Sequence, residues 1–343
     1  MSSVEKWCDS EDLGKNILLS SRVRLARNLE NYPFSTLLNK DQARDMISEI
    51  VNVFEECMSS GKLNYMSADN ISGIDELANF EKNNISQYFL LNKNPKGFFI
   101  NESESLSVML NEEDHIRIQS ICAGDDINNA FILSDNIDNV ISSKIDYAFD
   151  DDFGFLTSCP TNVGTGLRAS FMLHLPMLEK SGQLKNLVQI ISKFGMTVRG
   201  WHGEGTEPMG SLYQVSNQIT LGKSERDIIK NLRNVTQQII DQELKLRENI
   251  LKDDNNKIDF EDKIYRSFGI LSNCKKIGTR EAMNLLSDVM LGNCMGFDVN
   301  KFKINIYKMM MYIQPGLLQK NLGCKLKEQE RDIERANFIK SML

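Results

Sequence analysis

The sequence predicts an α+β protein: a mainly antiparallel β-sheet flanked by helices, followed by an all-helical C-terminal domain. Three observations carry this. Alternating apolar stretches separated by polar, hairpin-type turns fill much of the first 221 residues. Amphipathic helical periods are interleaved with them, and beyond the polar run DDNNK at 253–257 only helical periods remain. The boundary is set at about residue 252, dividing the chain into 1–252 and 253–343.

Taken in order, Ala43, Met46, Ile47, Ile50, Val51, Phe54, Cys57 and Met58 recur at helical spacing, so a helix is expected over 40–59. LSVML at 106–110 and the alternation Ile116, Ile118, Ser120, Cys122 flank the polar NEED and read as a β-hairpin. A helix is expected over about 127–145, strands at 153–158, 167–175, 196–201 and 212–221, and a helix at 183–194. Ser224 with Glu225 and Asp227 starts a long helix that runs to a basic end at Lys245 and Arg247. DDNNK then reads as a linker, with helices near 259–272, 279–292, 299–312 and 327–341.

Composition bounds the function. At 343 residues and 41% hydrophobic content the chain can bury a large core, and a net charge of -7 is the wrong sign for a general nucleic-acid or anionic-membrane binder. MSSVEKWCDSEDLGKN lacks an apolar run of signal-peptide length, and no stretch is long enough to span a membrane, so a soluble cytoplasmic protein is expected. The seven dispersed cysteines include no C-x-x-C pair and there are only three histidines, which fits neither a zinc site nor a disulfide framework.

Four segments place charge or glycine where folding does not require it. In SSRVRLAR at 20–27, Arg22 and Arg24 alternate with Val23 and Leu25, so an extended chain turns both guanidinium groups to one face. An anion such as phosphate between them would relieve their repulsion; a solvated strand edge is the plainer account. NEEDHIR at 111–117 sets Glu112, Glu113 and Asp114 before Arg117, as an acidic turn or as a carboxylate site. TSCPTNVGTGLRAS at 157–170 carries Cys159, Gly164, Gly166 and Arg168, and serves either as a turn or as a phosphate cradle that is not a Walker loop. VRGWHGEGTEPMG at 198–210 offers Arg199, then a glycine-rich stretch with Glu204 and Glu207 suited to closing over a ligand. His202 has no histidine partner at ligand spacing and reads as a loop residue.

Together SSRVR, NEEDHIR and CPTNVGTGLRAS resemble the ATP:guanidino phosphotransferase family over roughly residues 15–245. The resemblance implies a guanidino kinase catalytic domain, with ATP carrying Mg2+ and no protein metal site. It implies that Arg22, Arg24, Arg117, Arg168 and Arg199 hold the nucleotide phosphates, with His115 near the adenosine. Glu113 and Glu204 match the catalytic carboxylates and Cys159 the reactive cysteine. The chemistry agrees. Phosphoryl transfer relies on positioning and on positive clamps for charge spread over three oxygens, while a guanidinium acceptor needs carboxylates to align it and take a proton. A thiolate at Cys159 would tune the charge near the acceptor without forming a covalent intermediate.

SSRVR begins at Ser20, leaving no room for the helical domain that encloses the acceptor in kinases of free arginine or creatine. An open site that admits an arginine on a protein is therefore expected. The helical C-terminal region makes the layout similar to that of bacterial protein-arginine kinases, and RDIERA, with Arg331, Asp332, Arg335 and Ala336, matches their phosphoarginine-binding motif. On a helix Arg331 and Arg335 share a face and would grip a phosphate, with Asp332 on the guanidinium; an exposed salt-bridged helix is the plainer alternative. The resemblance further implies protein substrates with exposed arginine, among them a heat-shock repressor, delivery to a Clp-type protease and a zinc-binding activator protein. A homodimer is expected because Met283, Leu285, Leu286, Val289 and Met290 need a covering surface. A free-arginine kinase and a non-catalytic phosphoarginine-binding regulator are the rival functions.

Overall fold

The protein is seen in a computed structural model that describes residues 4–11, 13–57, 63–201, 208–299 and 301–343. Its elements, in chain order, are β1 (Leu18–Arg27), α1 (Lys40–Cys57), β2 (Asn64–Ser67), α2 (Gly73–Glu81), α3 (Gln87–Leu91), β3 (Gly97–Ile100), β4 (Leu106–Leu110), β5 (Ile116–Ala123) and α4 (Ile127–Ser142). There follow β6 (Phe149–Asp150), β7 (Gly154–Phe155), β8 (Leu167–His174), α5 (Pro176–Lys180), α6 (Leu184–Ser192), β9 (Met196–Arg199), β10 (Leu212–Asn217) and α7 (Glu225–Leu251). The remainder is helical: α8 (Asp254–Asn273), α9 (Thr279–Cys294), α10 (Ile306–Tyr312), α11 (Pro315–Leu322) and α12 (Glu328–Ser341).

Among the described residues eight strands form one sheet in the order β2-β3-β4-β5-β1-β8-β10-β9, and the expected hairpin is present as β4 paired antiparallel to β5, with Leu110 opposite Ile116. The contacts group the chain into two compact units, one of Met1–Trp7, Ser21–Ser170 and Ser216–Leu232, the other of Cys8–Ser20, Phe171–Val215 and Arg233–Leu343. In the first unit both faces of β3 are covered. Phe99 stacks on Phe54 of α1 with ring centroids 4.2 Å apart, while Phe98 meets Phe89 of α3 edge-on at 5.8 Å. Successive residues point to opposite faces, so Phe98 and Phe99 anchor helices on the two sides.

In the second unit α9 packs along α8 and touches α5. Met283, Leu286, Val289 and Met290, on which the dimer was expected, are fully buried within the chain itself, so that apolar set is already covered by intramolecular packing. Glu243 of α7 accepts hydrogen bonds from the N–H groups of Met177 and Leu178 at the start of α5, at 3.2 and 2.8 Å, and pairs with Arg247 at 2.9 Å. A buried carboxylate is thus paired and hydrogen-bonded, the condition on which it is tolerated.

Several elements depart from the sequence reading. DDNNK is a helix start, because Asp253 accepts from the Asn256 N–H at 3.0 Å and caps α8. The expected strand at 153–158 shrinks to Gly154–Phe155 of a two-stranded ribbon with β6. The helix expected over 299–312 begins only at Ile306, capped by Asn305, and α11, entered through Pro315, is additional. The short elements β2, α2, α3 and β3 carried too few residues for a period to show.

Candidate active site

β1 lies between β5 and β8 in the sheet. Along it Val23 and Leu25 are buried, while Arg22 and Arg24 are half-buried on the opposite face, as alternation requires. Arg117 on β5 and Arg168 on β8 come from the two strands that flank β1, and both join the same charge cluster. Burial first, then the like charges of Arg22, Arg117 and Arg168, drives the Arg24 pKa well below its ordinary value, with Glu112 opposing. Arg24 Nε is buried with no hydrogen-bond partner among the described residues. Four guanidinium groups held together in this way have the charge to hold a multiply charged anion.

The three acids of NEED take three separate roles. Asn111 adopts φ 54° and begins the tight turn, and its amide donates to the Pro95 carbonyl at 2.7 Å. Glu112 is buried and bridges Arg117 and the Ser86 hydroxyl, and its other oxygen accepts the Glu113 N–H at 2.7 Å. Burial works against the charge of Arg117, yet Glu112, Glu113 and Asp114 outweigh it and raise its pKa. Asp114 is buried and accepts from Asn28 Nδ2 at 2.7 Å and from the Ser158 N–H at 2.6 Å, so one carboxylate oxygen ties the end of β1 to the segment leading into Cys159. Glu113 is the half-buried acid left between them. Burial, with the carboxylates of Glu112 and Asp114, raises its pKa above the ordinary value against the pull of Arg117 and Arg168.

Cys159 is half-buried, with its Sγ 3.1 Å from the Thr161 hydroxyl. The glycines of the following loop answer to packing. At Gly166, φ 65°, a Cβ would lie 2.6 Å from the Ala26 carbonyl, and at Gly164, φ 113°, 2.8 Å from the Leu221 backbone. Only glycine permits these approaches in the left-handed region, so Gly166 seats the loop against β1 and Gly164 seats it against the segment that follows β10.

His115, expected near an adenosine, has both ring nitrogens bonded to the backbone. It is fully buried; Nδ1 accepts the Leu29 N–H at 3.0 Å and Nε2 donates to the Pro33 carbonyl at 2.8 Å. Burial lowers its pKa and favours the neutral ring these bonds require. With both nitrogens committed to the backbone, His115 braces the 29–33 turn and has none left for a nucleotide. Arg199 ends β9 in the second unit. Glu204, His202 and Glu207 lie outside the described residues.

The grip expected of RDIERA also changes. Arg335 is 1% exposed; its Nε donates to the Ile313 carbonyl at 2.9 Å and its Nη1 to the Ile277 carbonyl at 2.9 Å and to Asp332 at 2.6 Å. It is therefore a clamp on the end of α10 and on the 277 segment, whereas Arg331 and Asp332 remain half-buried at the surface of α12. Ala336 is buried beneath them. The apparent helical pair was a surface pattern in sequence, and the packing of α12 draws one member inward.

Sequence reasoning gave no role to Glu112, Asp114, Ser86 and Asn83, the last of which accepts from Arg22 Nη1 at a long 3.5 Å. Three acids in a row at a hairpin turn were the available signal for the first two. Asn83 and Ser86 come from a distant loop and gave none.

The family model of the ATP:guanido phosphotransferase C-terminal catalytic domain matches residues 45–246, and that of the protein-arginine kinase McsB C-terminal domain matches 257–343. Protein-arginine kinases of Bacillus cereus strain G9842 and Bacillus thuringiensis subsp. konkukian strain 97-27 are each 42% identical over 346 residues, covering 99% of this chain and 96% of theirs. Among solved structures, the duplicated taurocyamine kinase from Schistosoma mansoni with bound transition state analog components aligns with TM-score 0.61 and 29% identity, over 68% of this chain and 33% of that one. Lombricine kinase aligns with TM-score 0.60 over 72% and 73% of the two chains; at 24% identity it supports the fold alone.

Proposed function

Since the chain belongs to the ATP:guanido phosphotransferase family, we propose that it is a protein-arginine kinase, moving the γ-phosphoryl group of ATP to arginine side chains of proteins. The observation that carries this reading is the convergence of Arg22, Arg24, Arg117 and Arg168 beside the Glu112 to Asp114 turn, an anion site with a base next to it. The arginines clamp the polyphosphate and the charge that develops on the transferring group. Glu113 orients the acceptor guanidinium and takes a proton from it. As the new N–P bond forms, the bond from the γ-phosphorus to the bridging oxygen breaks and ADP leaves. Glu204 is the proposed second carboxylate, Arg199 the fifth clamp, and Cys159 a positioning neighbour of the acceptor. Mg2+ is taken to arrive on the phosphates of the nucleotide, as the family resemblance implies.

Incubation of the protein with Mg2+, ATP and an arginine-rich acceptor protein should give a phosphorylated product that loses its label in acid, because a P–N bond is acid-labile. Acid-stable label, or none, would remove the reading. A second expectation follows from the crowding of like charge. Arg24→Ala should weaken ATP binding by about tenfold or more while leaving the nucleotide-free protein as stable as before or more so, since a buried charge repelled by three neighbours is lost. Parallel calorimetry and thermal melts check both halves.

Delivery of the modified proteins to a Clp-type protease and relief of heat-shock repression are the downstream roles we assign, on the family resemblance alone. A phosphoarginine site at Arg331 and Asp332 and a homodimer complete the proposal. No helix among the described residues is long and apolar enough to cross a membrane.

A further inference from the structure

The β6–β7 ribbon leads straight into the catalytic loop, with Cys159 four residues beyond Phe155. Its tip carries two outward aromatics, Phe149 at 55% and Phe153 at 54% exposure, around the consecutive acids Asp150, Asp151 and Asp152. The ribbon is held firmly. The Arg27 guanidinium sits 3.6 Å from the centre of the Phe155 ring and pairs with Asp138 at 2.7 Å, and the Tyr147 hydroxyl donates to the same aspartate at 3.0 Å. Phe155 also exchanges backbone hydrogen bonds with Gly164 across the catalytic loop, at 2.8 and 3.3 Å. At the tip Asp150 accepts the N–H groups of Asp152 and Phe153, at 2.9 and 3.1 Å, and Phe149 lies edge-on to Phe155 at 5.3 Å.

A single exposed phenylalanine needs no explanation, but two aromatics on a braced tip with three acids form a surface of defined chemistry. We propose that this acidic-aromatic ribbon is the docking surface for the polypeptide that carries the target arginine, favouring segments with basic and apolar residues near that arginine. The inference rests on the protein-arginine reading above. Charge complementarity selects the occupant, since an arginine-bearing segment is cationic and the tip is anionic. Reach sets the range. Phe153 lies six residues from Cys159 along the chain, a span of about 20 Å at most, so flanking positions within about six residues of the target arginine would meet the tip.

The test uses the full-length protein with Mg2+ and ATP. Two peptides of equal length each carry one central arginine, flanked by lysine and leucine in one and by glutamate and serine in the other, and a blocked single arginine is the short acceptor. The variants are Phe149→Ser with Phe153→Ser, and Asp151→Asn with Asp152→Asn. All four side chains are exposed or at the turn surface, and thermal melts should match wild type. The wild type should prefer the basic-apolar peptide, and each double variant should raise its KM by about tenfold while kcat, the KM for ATP and the short-acceptor rate stay unchanged. Unchanged peptide KM in both variants, with the wild type active, overturns the docking surface and leaves the kinase reading intact. Unchanged KM with an altered molecular mass in light scattering assigns the tip to contact with a second copy, again overturning the proposal. A wild type that phosphorylates no arginine in any acceptor overturns the kinase reading, and the docking surface with it.

Discussion

Glu113→Gln should lower phosphoryl transfer by about 10² to 10⁴-fold while ATP binding stays close to wild type, since the amide keeps the shape but can neither take the proton nor pair with a guanidinium. Single-turnover transfer and nucleotide titration, run side by side, separate the two effects; near-normal transfer would remove Glu113 from the mechanism. Stability should not fall. The folded-state pKa of this carboxylate is raised, so its ionised form opposes folding above the unfolded pKa, and that burden disappears as the group protonates. A neutral glutamine removes it at every pH. The same shift places the acid limb of the pH–rate profile above the ~4.3 of an unperturbed glutamate, activity falling as pH drops through the Glu113 pKa. Asp114→Asn deletes one of the charges that raise Glu113 while its remaining oxygen can still accept from Asn28 and Ser158, and should move that limb to lower pH.

Arg335→Ala should destabilise the C-terminal helices by about 2–4 kcal/mol, because it strands the Ile313 and Ile277 carbonyls in the core and unpairs Asp332. Arg331→Ala, which loses a single bond to the Leu326 carbonyl at 3.1 Å, should stay within about 0.5 kcal/mol of wild type. Denaturant unfolding of the two variants provides the comparison. Equal losses would refute the assignment of Arg335 as a clamp. The contrast also bears on phosphoarginine binding: a binding defect in Arg335→Ala or in Asp332→Ala, which breaks the same buried pair, means little unless the variant is shown to be folded, whereas one in Arg331→Ala speaks directly to the site.

By itself the sequence determined the class of fold, the hairpin at NEED, the long helix from Ser224 and the side-by-side arginines of β1. Each of these rests on period or on local chemistry: alternation forces Arg22 and Arg24 to one face, and Ser224 caps its helix by accepting the Asp227 N–H at 3.2 Å. It could also name Arg117 and Arg168 as partners through the family resemblance. Tertiary structure alone decided which charges are used up. Apart from the family resemblance, which matches Glu113 to a catalytic carboxylate, Glu112, Glu113 and Asp114 look alike in sequence, yet Glu112 is taken by Arg117, Asp114 by Asn28 and Ser158, and Glu113 is left between them. His115 and Arg335 carry motif positions in the sequence but are committed to backbone carbonyls and N–H groups from elsewhere in the chain. A sequence pattern shows which groups an element presents. Their availability depends on partners tens of residues away, and only the packed chain brings those partners within hydrogen-bond reach.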